Sequence, residues 1–187
     1  MTNISVWVSG LMLALCLAVP AAAVDPSQGV LEVRLKDHRE AIGDFAKLTV
    51  TVGDILVSPK PGLKFWQSGW KSLAVAAEAV DLTKYIGKNS ARIFRDSVNA
   101  GAFNAIHLKL KEVSGVLKKS QRGAPIKNTV GPIKFPFEIR AQSETIIVLD
   151  LVVMDMSDHP PRGYELGVRG YELYTNGKLV DKVPPGP

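Results

Sequence analysis

Alternation of apolar and polar side chains constrains this fold more than any other feature of the sequence. Leu31, Val33 and Leu35 are spaced two residues apart and separated by polar residues, so they line one side of an extended strand. The same period recurs in later segments: 48–52 with 55–57, 70–75, 92–98, 103–113, 133–139, 145–154 and 164–174. The pattern therefore predicts a series of β-strands.

Glycine and proline residues separate these segments. Gly53 predicts a β-bulge between 48–52 and 55–57, and Pro59 ends that element because proline donates no ladder hydrogen bond. Segment 80–86 fits either a strand or one helical turn that closes at Gly87. With no long amphipathic helix, seven to nine strands predict an all-β, antiparallel β-sandwich. Segment 146–153 is apolar on both sides apart from Asp150, which is typical of a central strand.

The first 23 residues carry no charged side chain and include the only cysteine, Cys16. An apolar run over 11–19, a proline and three alanines are typical of a signal helix cleaved after Ala23. Two alternatives are lipidation at Cys16, which the bulky Leu15 before it disfavours, and a retained membrane anchor over 4–24. In either case the chain would contact a membrane. Otherwise the sequence predicts export to the periplasm, cell surface or extracellular space.

The predicted organisation is a signal peptide at 1–23, a linker at 24–29, a β-sandwich at 30–176 and an extended tail at 177–187. The net charge of +5 lies beyond the uncharged leader. The densest basic segment, near Lys118, lacks interleaved aromatic residues and is interpreted as a surface loop, not a nucleic-acid site. A mature chain without cysteine excludes disulfides, a thiol nucleophile, a thiolate metal site and covalent haem attachment.

The sequence contains no motif whose residue spacing is typical of a metal site, a serine nucleophile or a phosphate-binding loop. His38, His107 and His159 are far apart and lack the paired spacing of a zinc site. No serine lies in a Gly-x-Ser-x-Gly elbow, and no glycine-rich loop joins a strand to a helix. The sequence therefore assigns no catalytic residue and no cofactor, and it predicts a protein that is not an enzyme.

Three acidic residues stand out. Asp37 ends the first strand, Asp81 begins a short element, and Asp150 interrupts the most apolar strand. A carboxylate at a strand centre needs a partner, because burying an unpaired charge is costly. Each is interpreted either as a cation ligand or as a buried hydrogen-bond anchor, and Asp150 is expected to have a definite partner.

Two tryptophans are the candidate ligand-binding residues. Trp66 follows a proline-rich turn, where it is expected either to contact a ligand or to pack within its loop. Trp70 is either a second ligand contact or a core residue, because it alternates with Ser72.

Six short motifs occur in order along the chain: GVLEVRLKD at 29–37, KLTVTV at 47–52, GWKSL at 69–73, VDL at 80–82, AGAFNAIHL at 100–108 and IVLDL at 147–151. In order and spacing they resemble a family of exported and lipoprotein-like bacterial and archaeal proteins designated domain of unknown function 4382. The resemblance implies a prealbumin-like or immunoglobulin-like β-sandwich with no established activity and no catalytic residue. The chain departs from the family at Phe103, where tyrosine is frequent, and in the poor lipidation context of Cys16.

The sequence favours a non-enzymatic, exported binding or structural module at the cell envelope. A polysaccharide partner would stack on Trp66, and an envelope protein would add a strand to an edge such as 164–174. An alternative is a subunit of a larger envelope assembly or filament, because three tyrosines in 164–174 suit an interface. A third hypothesis is a hydrolase that uses Asp81, His107 and Asp150. The oligomeric state is left open.

Overall fold

The computed structural model describes residues 25–60, 69–75, 79–158, 160 and 162–183. Two β-sheets pack face to face and confirm the predicted all-β sandwich. Sheet A contains β1 (Gln28–Asp37), β5 (Ala91–Asn99), β8 (Ile126–Asn128), β10 (Glu144–Asp155), β11 (Tyr164–Thr175) and β12 (Lys178–Val183). Sheet B contains β2 (Phe45–Pro59), β3 (Lys71–Ala74), β4 (Ala79–Asp81), β6 (Gly101–Leu117), β7 (Gly123–Ala124) and β9 (Ile133–Ile139). The predicted signal helix lies outside the described residues.

Sheet A has the order β12-β11-β10-β1-β5, with β8 beside β11. The prediction of antiparallel pairing is incomplete here, because β1 with β10 and β8 with β11 run parallel. Parallel strands need a long crossover, and the chain between β1 and β10 forms sheet B together with β5 and β8 of sheet A. β10 lies between β1 and β11, as its apolar sequence predicted.

The core forms from one row of side chains on each sheet. Leu31, Val33 and Leu35 from β1 are fully buried, as their alternation predicted. They face a matching row from β2, which includes Leu48 and Val50. Since burial contributes about 25 cal/mol per Å² of apolar surface, these two rows supply a large share of the folding free energy.

The predicted bulge at Gly53 is present. The register between β2 and β6 shifts between Val52 and Asp54, and this keeps the apolar residues of 48–52 and 55–57 on the same side of one long strand. Segment 80–86 combines both predicted forms, a short strand followed by a 3-10 turn over Leu82–Lys84. A second 3-10 turn covers Ala41–Asp44.

Two expectations about the carboxyl-terminal region are wrong. Segment 164–174 is not a sheet edge, because β11 pairs with β10 on one side and with β12 on the other. Residues 178–183 are not an extended tail, because they form β12. All six residues of β12 are exposed, so an outer strand of this kind shows no apolar alternation in the sequence.

An aromatic pair joins the two sheets where β9 faces β11. The rings of Phe135 and Tyr171 stack with centroids 3.8 Å apart and an interplanar angle of 16°. The Tyr171 hydroxyl donates a hydrogen bond to Asp181 Oδ2 at 2.6 Å, which also attaches β12 to β11. This ring contact therefore fixes the distance between the two sheets where β9 faces β11.

Candidate functional site: a charged groove on sheet A

Alternation places a polar row on the outer face of sheet A. Since Leu31, Val33 and Leu35 point into the core, the intervening Arg34 and Lys36 of β1 point away from it. Neighbouring strands continue this arrangement in register: Arg34 pairs with Val148 of β10, Val148 with Glu172 of β11, and Glu172 with Lys182 of β12. One row of side chains therefore crosses four strands at a right angle to them.

This row lies in an open groove of about 560 Å³. Apolar side chains form its floor, and charged or hydroxyl-bearing side chains form its walls. The lining residues are Arg34, Lys36, Gly87, Lys88, Ser90, Ile146, Val148, Glu172, Tyr174 and Lys182. Four of them are cations and one is a carboxylate, so the formal charge of the lining is positive.

Glu172 is the centre of the hydrogen-bond network in the groove. Its Oε1 accepts from Lys36 Nζ at 2.9 Å and lies 3.2 Å from Lys182 Nζ, and its Oε2 accepts from the Tyr174 hydroxyl at 2.7 Å. Burial alone would raise the pKa of this carboxyl group, but the three donors outweigh burial and lower the pKa to about 2. Glu172 is therefore ionised at neutral pH.

A second network borders the groove on the β5 side. The carboxylate of Glu32 is buried and forms ion pairs with both Arg34 and Arg95, and Arg95 also pairs with Glu144. Burial opposes ionisation of Glu32, yet the two guanidinium groups lower its pKa overall. Glu32 thus fixes the position of Arg34 at the groove wall.

Two cations close to this network form no salt bridge within the described part of the chain. Among the described residues, no carboxylate forms a salt bridge with Lys88 in the turn before β5 or with Arg92 in β5. Arg92 is the register partner of Arg34 on the outer face. Because Lys88 lines the groove and Arg92 lies on the adjacent strand, this end of the groove carries positive charge that no described carboxylate neutralises.

The family model described as a domain of unknown function, DUF4382, matches residues 28–166, which run from the start of β1 into β11. The chain belongs to the DUF4382 family. No curated protein and no solved structure matches the chain. The matched range contains Arg34, Lys36 and Lys88 of the groove, and it ends before Glu172 and Lys182.

In this DUF4382 domain, two of the predicted acidic residues lie together at the end of the β1–β10 pair. Asp37 Oδ1 accepts a hydrogen bond from the Arg39 backbone N–H at 2.8 Å. Asp150 Oδ2 lies 3.4 Å from His38 Nδ1 and 3.7 Å from Lys36 Nζ, which supply its expected partners. Asp37 Oδ2 and Asp150 Oδ1 are buried and accept no hydrogen bond from the described part of the chain.

The environment of Asp37 changes its acidity. Burial raises its pKa most, the Arg39 N–H acts in the opposite direction, and the nearby negative charge of Asp150 raises the pKa further, to about 6. Asp37 therefore titrates near pH 6. Because 1% of its surface is exposed, a ligand cannot reach this carboxyl group.

Asp81 is a structural cap in the DUF4382 domain. Its Oδ1 accepts hydrogen bonds from the backbone N–H of Thr83 at 3.2 Å and from the Thr83 hydroxyl at 2.7 Å. These bonds start the 3-10 turn after β4. The described residues include no group of three His, Cys, Asp or Glu side chains placed to hold a metal ion.

The residues of the hydrolase hypothesis are not brought together. Asp150 lies on β10 of sheet A, whereas His107 lies on the outer face of β6 in sheet B, beside its register partner Leu56. Asp81 caps a turn after β4. The three side chains belong to separate parts of the domain.

Trp70 is not a core residue. It is 46% exposed, and its ring meets that of His107 edge-on with centroids 6.2 Å apart on the outer face of sheet B. Trp66 lies outside the described residues. Within the described ranges, no helix has the length and apolar character needed to cross a bilayer.

Sequence reasoning missed the groove. Arg34 and Lys36 stand at polar positions of an alternating strand, and Glu172 and Tyr174 stand at such positions in another. The sequence places these residues on the polar side of alternating strands, but it does not reveal which strands are neighbours. Only the order β12-β11-β10-β1 brings Arg34, Glu172 and Lys182 into one row, with Lys36 and Tyr174 beside it.

Proposed function

We propose that this chain is an exported, non-enzymatic binding module at the cell envelope, and that its ligand occupies the groove on sheet A. The observation that carries the proposal is the row from Arg34 to Lys182, where cations flank an apolar floor on a rigid sheet. A site on paired strands holds its groups in fixed positions, which favours selective binding. The uncharged leader over 1–23 supports export.

The acidity of the carboxylates supports a role in binding. Glu172 is held ionised by Lys36, Lys182 and Tyr174, so it accepts hydrogen bonds and is a poor proton donor. Asp37 has a pKa near neutrality but is inaccessible. The groove therefore presents fixed charges and hydrogen-bonding groups to a bound molecule.

A steric block tests the groove directly. Ser90→Trp adds a large ring at the groove wall without removing a charge, and Ser157→Trp adds the same ring on an exposed turn. The full chain, produced with its own leader, is incubated with purified envelope polysaccharide and sedimented. We expect retention of the wild type and of Ser157→Trp, and loss of retention for Ser90→Trp. Equal retention of both variants would overturn the groove assignment.

Export has a separate test. The intact mass of the protein recovered from the cell distinguishes three states: cleavage after Ala23, lipidation at Cys16 and a retained leader. We expect the mass of residues 24–187 in the fraction outside the cytoplasm. The mass of the complete chain in the cytoplasm would contradict export.

A second candidate function is an assembly subunit, and the exposed edge strand β12 favours it. Leu179, Val180 and Val183 are 53%, 60% and 44% exposed on a strand that pairs on one side with β11. An unpaired, partly apolar edge is a template for strand addition. Edge strand β9 of sheet B is protected by Pro136, which donates no hydrogen bond.

Light scattering after size exclusion tests this alternative. If β12 joins copies of the chain, the wild type forms oligomers and Val180→Lys is monomeric, because a charge on the edge opposes pairing. Ser120→Lys in the exposed turn after β6 adds the same charge away from β12 and is the control. A wild type that stays monomeric at high concentration would exclude assembly through β12.

A further inference from the structure

The groove has a charge pattern that selects one class of ligand. Cations lie at both ends of the row, with Arg34 and Arg92 on one side and Lys182 on the other. Between them lie the apolar Val148 and the carboxylate of Glu172. The pattern along the row is thus positive, apolar, negative and positive.

The spacing of these charges follows from the sheet. Neighbouring strands lie about 4.8 Å apart, so the three steps from β1 to β12 place Arg34 and Lys182 about 14 Å apart at their backbones. The further step to Arg92 on β5 extends the row to about 19 Å. A small ion such as phosphate reaches one end only, and a chain with several acidic groups can reach both.

The centre of the row distinguishes between kinds of acidic chain. Glu172 stays ionised, so it repels an anionic group placed above it but accepts hydrogen bonds from hydroxyls. Ile146 and the ring of Tyr174, which are both partly exposed, offer an apolar surface to the face of a sugar. Acidic sugars supply carboxylates, hydroxyls and apolar ring faces together, whereas polyphosphate supplies negative charge without hydroxyl donors or apolar faces.

We infer that the groove binds an acidic polysaccharide, laid across β1, β10, β11 and β12 with uronate carboxylates at the two cationic ends. This inference rests on the proposed function and specifies the ligand of the same site. Arg34 and Lys88, which both line the groove, hold the carboxylate at one end, and Arg92 on the adjacent strand β5 adds positive charge beside them. Lys182 contacts the other end, and Glu172 accepts sugar hydroxyls between them.

Oligogalacturonates of increasing length test the span by titration calorimetry with the full chain. Galacturonate itself reaches one end, so we expect weak binding of the monomer. Affinity should rise steeply up to the length that spans about 14 Å and then level off. Neutral dextrans of equal length and polyphosphate should bind at least tenfold more weakly than the longest oligogalacturonate.

A pair of variants tests the cationic end. Lys88→Gln with Arg92→Gln removes two charges that form no salt bridge in the described chain, and Lys118→Gln with Lys119→Gln removes two charges from an exposed turn. We expect about tenfold weaker binding for the first double variant and little change for the second, because a single exposed charge contact is modest. Circular dichroism verifies that both variants fold.

The results separate the inference from the proposed function. If the monomer binds as tightly as the longest oligomer, or if both double variants bind alike, the acidic polysaccharide assignment is wrong. If Ser90→Trp still abolishes retention on envelope material while no oligogalacturonate binds, the groove is a binding site for another ligand. If neither assay depends on the groove, both proposals fail.

Discussion

The ammonium group of Lys36 lies 2.9 Å from Oε1 of Glu172, so one hydrogen-bonded ion pair crosses strand β10 and joins β1 to β11. Both side chains are largely buried, and Lys182 and Tyr174 add two further contacts to the same carboxylate. Removing this carboxylate would leave Lys36 with Asp150 as its ion-pair partner and would remove the salt bridge of Lys182 within the described part of the chain.

Glu172→Gln should therefore lower the free energy of unfolding by roughly 1 to 3 kcal/mol at pH 7. The pKa of Glu172 is lowered from 4.5 to about 2 by folding, so its contribution is complete above pH 4.5 and is lost as the pH falls from 4.5 to 2. Urea denaturation across this range measures the difference. Glu165→Gln, which faces the exposed Lys127, is the control and should lose less than about 1 kcal/mol. Equal losses for the two variants at pH 7 would contradict the account.

Asp37→Asn should stabilise the protein at pH 7 to 8. The pKa of Asp37 rises from 3.8 to about 6 on folding, so its ionised form is disfavoured in the native state, and the protein loses stability as the pH rises through 6. The gain should be roughly 2 to 3 kcal/mol at pH 8 and should vanish below pH 4. Asp96→Asn removes the same charge from an exposed position and should change stability by less than about 0.5 kcal/mol. A gain that does not vary with pH would contradict burial as the cause.

Tyr171→Phe should remove the tyrosine titration step that has the highest pKa. Burial, together with the hydrogen bond to Asp181 and the charge of that carboxylate, raises the pKa of Tyr171 to about 12. Its contribution to stability is present below pH 10 and is lost as the pH rises from 10 to 12. Ultraviolet absorbance follows the titration, and Tyr85→Phe should leave the step near 12 in place. The lost hydrogen bond should lower stability by about 1 kcal/mol at pH 7.

Gly115→Ala should destabilise the sandwich by about 1 to 3 kcal/mol. A Cβ atom there would lie 2.5 Å from Cε1 of Phe45 and 2.7 Å from Cδ1 of Ile126, and the Phe45 ring is fully buried and unable to move aside. Gly131→Ala is the matched control, because a Cβ at that position meets no atom within 4 Å. Thermal unfolding of the two variants measures the difference. Similar transition temperatures would show that the core near Phe45 rearranges easily.

The strands were predictable because their periodicity is local. The alternation of Leu31, Val33 and Leu35 predicts β1, and an apolar run interrupted by Asp150 predicts the central position of β10. The bulge at Gly53 was also predictable, since the apolar residues change phase there. These features depend on neighbouring residues in the sequence.

The pairing of strands was not predictable from such patterns. Nothing in the alternation states that β1 pairs in parallel with β10 or that β12 covers the edge of β11. The interaction of Lys36 with Glu172 and the proximity of Asp37 to Asp150 follow from those pairings. Each of these residues viewed alone resembles a solvated charge or a strand end.

The parallel pairing of β1 with β10 places the first strand in the interior of sheet A, where Val30 meets Glu144. Because synthesis proceeds from the amino end, this sheet cannot be completed until residues 144–155 have followed. Pairings between distant segments form slowly, because closing the loop between them is entropically unfavourable. Strand order thus delays the completion of sheet A until most of the polypeptide is available for pairing.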